Sequence, residues 1–157
     1  MEFLQAREED VAIICSLYKG AIGSYGCTWD EHYPTAWHTK GDFQRGDLYC
    51  LKDETGKIIA AIAIDDDKEV DKLECWSKNG SELSRLVVDE EFQNKGIAGY
   101  MITKAMEVLK QRGFDYVHFL VSKEHIKALK AYDKLAFENV GESDLYGGTW
   151  WCYEKKL

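Results

Sequence analysis

The sequence predicts an α/β fold: a mixed, mostly antiparallel central sheet of six to seven strands with helices on both faces. Three observations point there. Apolar runs such as Lys57 to Ile64 (KIIAAIAI) and Tyr116 to Val121 (YVHFLV) show little polar alternation, as strands do when both faces of a sheet are covered. Around them lie segments whose apolar residues recur at helical spacing. The elements run strand, helical region, three strands, helix, strand, helix, two strands, which is the order of a layered α/β sheet. At 157 residues, with 45% apolar and 31% charged side chains, the chain suits one domain spanning residues 1–157 around a single core.

Residues 2–7 (EFLQAR) read as a first strand. In the following EEDVAIICSLYKGAI, Val11, Ile14, Cys15, Tyr18 and Ile22 recur with helical period, which predicts a helix of about four turns. Residues 23–46 mix glycines with aromatic residues and read as either a short helix between loops or a folded flap. Leu48 to Lys52 and Lys57 to Ile64 form a hairpin about the Asp53-Glu54-Thr55-Gly56 turn. An acidic stretch, DDDKEVDKLECW, follows; its run Asp65-Asp66-Asp67-Lys68-Glu69 could steer a polyamine or lysine-rich peptide, but such runs are usually solvated loops and assign no substrate, and Glu82 to Val88 (ELSRLVV) is the next strand. Strict alternation there places Glu82, Ser84, Leu86 and Val88 on one face and Leu83, Arg85 and Val87 on the other. A helix from about Gly96 to Arg112 follows, with Ala98, Met101, Ile102, Ala105, Val108 and Leu109 on one arc and Gly113 as its stop signal. After the strand at 116–121, Ser122 is placed to cap a helix running through Leu135, with Glu124 in its first turn. Strands near 138–142 and 149–154, joined by DLYGG, complete the chain.

The net charge of -8 opposes non-specific nucleic-acid binding, which needs a basic face to release counterions. It suits a cationic ligand better. No stretch approaches the roughly 20 apolar residues of a membrane span, and MEFLQAREEDVAII lacks the basic-then-apolar pattern of a signal peptide. The expected compartment is the cytoplasm. Five widely spaced cysteines with no CxxC and no Cys/His pair at ligand spacing read as reduced structural thiols and predict no metal site.

The stretch LVVDEEFQNKGIAGYMITKA, residues 86–105, begins as a buried strand and continues as a helix. A helix N-terminus presents unpaired N–H groups and the positive end of its dipole, so a strand-turn-helix junction is a ready anion site when small residues let the anion approach. Gly96 and Ala98 are small at such points, and Gln93 and Lys95 add donors. Neither GxxxxGK[ST] nor GxGxxG is present, which argues against a Walker loop and a dinucleotide fingerprint. Taken alone, a glycine at a helix start is more often simple turn chemistry than a ligand site.

Gln-x-x-Gly-x-Ala, directly after Arg-Leu-Val-Val and before this helix, resembles the pyrophosphate loop of the Gcn5-related N-acetyltransferases. The resemblance covers roughly residues 82–137 and fits the element order of the whole chain. It implies an acyl-CoA N-acyltransferase fold, acetyl-CoA as cosubstrate, and a small-molecule or peptide amine as acceptor. It also implies that Gln93, Asn94, Lys95, Gly96, Ile97 and Ala98 cradle the pyrophosphate, and that the edge of Leu86, Val87 and Val88 receives the pantetheine arm. The Leu86 amide would then polarise the thioester carbonyl. Asn94 stands where the family often has glycine.

HIKALKAYDKLAF, residues 125–137, is similar to the family's Asn-x-x-Ala-x-x-x-Tyr stretch, with His125 in place of the Asn and Ala136 in place of a Gly. By this resemblance Tyr132 protonates the departing thiolate and His125 either contacts the cofactor or opens the helix. Tyr132 also falls at core spacing with Leu129 and Leu135. Glu82, eleven positions before Gln93, resembles the catalytic glutamate of the histone-acetyltransferase branch and would deprotonate the attacking ammonium. On sequence alone a pairing with Arg85 or a lysine accounts for it equally. The resemblance assigns acceptor binding to the segment after the first helix and to the C-terminal loop: Tyr25, Trp29, His32, Tyr33, Trp37 and His38, with Tyr146, Trp150 and Trp151. Each of these is also a candidate for core packing. A homodimer is common in the resembling family. A catalytically silent acyl-CoA sensor with the same fold is the alternative to the enzyme.

Overall fold

The computed structural model describes residues 1–24 and 27–157. Seven strands form one sheet in the order β1-β2-β3-β4-β5-β7-β6. They are β1 (Glu2–Gln5), β2 (Leu48–Lys52), β3 (Ile58–Asp65), β4 (Gly80–Val88), β5 (Tyr116–Ser122), β6 (Glu138–Ser143) and β7 (Trp150–Lys156). Every neighbouring pair is antiparallel except β4 and β5, which run parallel. The β4–β5 connection needs a crossover, and α4 (Ile97–Gln111) supplies it.

The two sheet faces carry separate cores. On one, Ile97, Met101, Ile102, Ala105 and Leu109 of α4 bury against Ile62, Ile64, Leu83, Val117 and Phe119, and α5 (Ile126–Lys134) adds Leu129 and Tyr132. On the other, Val11, Ile14 and Tyr18 of α1 (Val11–Ala21) pack on Leu48, Cys50, Ala61 and Val87. Burial on both faces is the reason β2 and β3 read as continuous apolar runs.

Of the segment at 23–46, the described residues from 27 onward hold a short helix, α2 (Ala36–Gln44), whose Thr35 forms a capping box with His38. The acidic stretch is more ordered than a solvated loop, because Asp67 accepts a hydrogen bond from the Glu69 amide and starts a single helical turn, α3 (Lys68–Asp71), anchored by buried Val70. Gly96 is the left-handed N-cap of α4. Ser122 does not cap α5; His125 occupies the N-cap position, and the Ser122 hydroxyl instead accepts from the Glu124 amide in the preceding turn. All five cysteines are free. Among the described residues no helix is long and apolar enough to cross a membrane.

Candidate active site

Strands β4 and β5 begin side by side and then part. Their register pairs are Gly80 with Tyr116, Ser81 with Val117 and Glu82 with His118, and the ladder stops there. Beyond this fork β4 stays paired to β3 as far as Val88, and β5 stays paired to β7 as far as Ser122. Only the two inner edges are left open. Backbone N–H and C=O groups on such an edge are unpaired hydrogen-bonding groups facing a slot, the requirement for receiving an extended amide-bearing chain.

A bulge in β4 corrects the alternation expected from sequence. Ala61 pairs with Val87 but Ala63 with Ser84, so β4 carries one residue more than β3 across this interval. Arg85 absorbs it with a positive φ of 50°. Glu82, Ser84, Arg85 and Val87 therefore lie on the α1 face, while Leu83, Leu86 and Val88 face α4. Leu86 and Val88 do not share a face with Glu82. The side chains of Val87 and Ile97 are buried in the two cores, so either residue reaches a ligand through its backbone only.

Arg85 is held by an ion-pair cluster. Its Nε and Nη2 donate to the two carboxylate oxygens of Asp42 at 2.8 and 2.7 Å, and its Nη1 lies 3.0 Å from Asp65 and donates to the Tyr33 hydroxyl at 3.0 Å. Burial raises the pKa of Asp42 despite Arg85 and Arg45. For Asp65 burial pushes upward too, but the Arg85 guanidinium overrides it and the carboxyl stays below its ordinary range. Arg85 is thus committed to Asp42 and Asp65, and the pairing with Glu82 considered from sequence does not form.

The turn before α4 fits an anion cradle. Asn94 and Gly96 adopt left-handed φ values of 61° and 78°, conformations that asparagine and glycine tolerate best. A Cβ added at Gly96 would meet nothing within 4 Å, so the space above that backbone is open. Gln93 is directed inward, its side-chain amide donating to the Val88 carbonyl at 3.3 Å and tying the turn to the end of β4. Lys95 lies over the Phe92 ring.

Tyr132 packs at the fork on the α4 face. Its ring centroid is 4.6 Å from that of Phe119, the first β5 residue past the last β4–β5 pair, and it also contacts Phe137 and Tyr153. Burial pushes its phenol up to about 12. His125, at the start of the same helix, has a pKa lowered by burial and by Lys127.

Glu82, the last β4 residue before the fork, lies on the opposite face. Cross-strand pairing sets Asp65, Glu82, His118 and Glu154 in one row across β3, β4, β5 and β7. Asp71 of α3 lies 2.9 Å from His118 Nε2, Trp76 stacks on that imidazole, and Glu154 accepts from the Ser77 amide and hydroxyl. Glu82 is 6% exposed, and among the described residues its Oε1 has no hydrogen-bond partner. Its pKa is raised well above the usual carboxylate range by burial first, then by Asp65, Asp67 and Asp71.

The aromatic residues separate into different roles. Tyr33 bonds Arg85 beside Glu82, and Tyr146 donates to Asp67 across the same region. Trp150, on the Glu82 face of β7, donates its indole N–H to the Leu145 carbonyl and holds the loop beside it. Trp29 stands edge-on to buried Tyr18 as part of the α1 core. Trp151 turns to the α5 face under Lys123, and Trp37 is 80% exposed. Tyr25 lies outside the described residues. Asp42, His118 and Glu154 carried no recognisable spacing in the sequence beyond an isolated histidine in an otherwise apolar strand, and Asp67 was visible only as part of the acidic run at 65–69.

An open sheet parted between its two parallel strands, with a glycine turn opening the helix beside the gap, is the acyl-CoA N-acyltransferase fold. Residues 14–137 match the acetyltransferase (GNAT) family, and the chain belongs to it. An uncharacterised N-acetyltransferase of Methanocaldococcus jannaschii is 30% identical over 105 residues, 65% of this chain and 44% of the relative, so the match spans less than half of that protein. A ribosomal-protein-alanine N-acetyltransferase from Brucella melitensis has a TM-score of 0.78 over 100% of both chains at 15% identity. A phosphinothricin acetyltransferase from Sinorhizobium meliloti, solved in complex with AcCoA, has a TM-score of 0.79 over 99% of this chain and 88% of its own at 16% identity. At these identities the likeness to the solved structures is one of fold.

Proposed function

We propose that the protein transfers the acetyl group of acetyl-CoA to a primary amine of a small molecule or peptide, by direct attack in a ternary complex. The observation that carries this reading is the fork itself: Glu82 ends the paired part of β4 on one face, and Tyr132 packs on the first β5 residue beyond it on the other. The turn Gln93–Ala98 and the open β4 edge at Leu86–Val88 would hold the cosubstrate, which supplies an acetyl group activated as a thioester. The transfer forms a C–N bond and breaks the C–S bond; starting from the ammonium, nitrogen gives up two protons, of which sulfur takes one and the other is released to solvent.

Glu82 fits the first proton transfer. An acceptor ammonium must lose a proton before it attacks, and a carboxylate whose pKa is raised by burial is a stronger base than an exposed one. Tyr132 fits the second, because a phenol raised by burial stays protonated until it meets a base as strong as a thiolate. Their separation by the sheet lets the amine and the sulfur be addressed from opposite sides.

Calorimetric titration with acetyl-CoA, followed by thiol release with a panel of amines, tests the reading. Saturable binding that weakens in Gly96→Val, with thiol release on adding an amine, is the expected result. Tight binding without thiol release across diverse amines would establish the sensor instead. No binding at millimolar acetyl-CoA would sink both.

A further inference from the structure

We infer that the acceptor is a diamine or polyamine, bound with its reacting ammonium at Glu82 and a second ammonium at Asp67. This deepens, and rests on, the amine-acetyltransferase reading.

Carboxylates outnumber cations around Glu82. Asp65 adjoins it across the ladder, and Asp67 and Asp71 come from the segment that follows β3; all three are near enough to raise its pKa. Among the described residues the cations beside them are already engaged: Arg85 by Asp42 and Asp65, and Arg45 by Asp42, Asp47, Asp65 and Asp66. Asp71 is bound by His118. Asp67 is satisfied by neutral donors, the Glu69 amide and the Tyr146 phenol. Glu82 Oε1 is buried and finds no donor among the described residues. Buried carboxylate oxygens ordinarily have partners, and an acceptor ammonium supplies three N–H donors. With a cation bound there, Asp67 and Glu154 are the nearby carboxylates that form no ion pair among the described residues; Glu154 is buried and takes both Ser77 donors, whereas Asp67 borders the exposed Tyr146 and is the one a second ammonium can reach.

The cluster favours an organic cation over a metal ion, since among the described residues no three His, Cys, Asp or Glu side chains are arranged to hold one. Tyr146, 67% exposed and bonded to Asp67, stands at the outer side of the cluster with exposed Asp66 and Glu69. Both are already paired, Asp66 with Arg45 and Glu69 with Lys72, which leaves Asp67 as the carboxylate there open to an incoming ammonium. Asp67 lies two residues past Asp65, the cross-strand partner of Glu82, so a short aliphatic chain is long enough to connect them. A small diamine therefore suits the site better than two side chains of an extended peptide.

Putrescine and n-butylamine have the same carbon chain and differ by the distal ammonium. Initial-rate thiol release should give putrescine a kcat/KM about tenfold or more above butylamine, the value of one charge-assisted hydrogen bond. Asp67→Asn should bring that ratio toward unity through KM rather than kcat, and added salt should shrink it in the wild type. Calorimetric binding of putrescine to the CoA-loaded protein, wild type against Asp67→Asn, gives a readout independent of turnover. Asp67-dependent putrescine binding without thiol release would uphold the ligand class while removing the transferase reading. Turnover with butylamine equal to putrescine, an equal loss for both amines in Asp67→Asn, or preference for a lysine-rich peptide over putrescine would overturn the inference and leave acetyl transfer standing. Absence of both binding and turnover with putrescine would overturn it as well.

Discussion

Arg85→Met removes the guanidinium that joins α2 to the β4 bulge. Asp42, 1% exposed, then loses two hydrogen bonds of 2.8 and 2.7 Å and keeps one from Arg45 at 2.9 Å. Breaking a buried ion pair on one side costs about 3–5 kcal/mol because a charge is left uncompensated. The surviving Arg45 bond places this case at the lower end, about 3 kcal/mol. For a chain of 157 residues the unfolding entropy is about 0.33 kcal/mol/K, so roughly 3 °C of Tm is lost per kcal/mol and about 9 °C in total. Thermal melts followed by circular dichroism read this directly. The double variant Asp42→Leu/Arg85→Met should recover part of the loss, since it removes the charge stranded at Asp42 while Asp65 still lacks its guanidinium partner. A loss under about 3 °C in the single variant would refute the reasoning, because Arg85 would then not be compensating a buried charge.

Glu82→Gln should lower kcat and abolish the rise of rate with pH that reports ionisation of the base. Its stability effect has the opposite sign. The folded pKa of Glu82 is raised above an unfolded value of about 4.3, so the folded state holds the proton more tightly; stability is greatest below that unfolded value and falls as pH rises through the folded pKa. The glutamine variant should therefore melt above the wild type at neutral pH, with the advantage vanishing below about pH 4; a constant difference across pH would contradict this. Tyr132→Phe should cut kcat about a hundredfold while leaving acetyl-CoA affinity and Tm nearly unchanged, because its ring contacts with Phe119, Phe137 and Tyr153 remain. With the phenol pushed up to about 12, the wild type should show no alkaline loss of activity from this group at ordinary assay pH. A rate unchanged in Tyr132→Phe would return the residue to a packing role.

Much of the layered architecture was legible because burial leaves periodic marks. The apolar arc of α4, the runs of β3 and β5 and the stop at Gly113 are local consequences of where each element is covered. The glycine turn before α4 was legible too, as a small residue at a helix start is needed wherever the backbone must stay open. The α5 cap was misplaced because Ser122 has the right chemistry three residues too early, and its hydroxyl found a turn amide instead. The single turn of α3 was hidden by composition, since four residues of acidic sequence carry no period.

What the sequence by itself determined is the class of fold and the candidates for its chemistry: Glu82, Tyr132 and the turn at 93–98. These depend on spacing along one chain. Only the tertiary structure decided which face each residue occupies. The bulge at Arg85 reverses the alternation of β4, and the left-handed backbone there, unfavourable for a non-glycine residue by about 1–2 kcal/mol, is held by Asp42 forty-three positions away. The carboxylates around Glu82 likewise converge from separate strands and loops, and their shared effect on it arises from through-space electrostatics that no local pattern records.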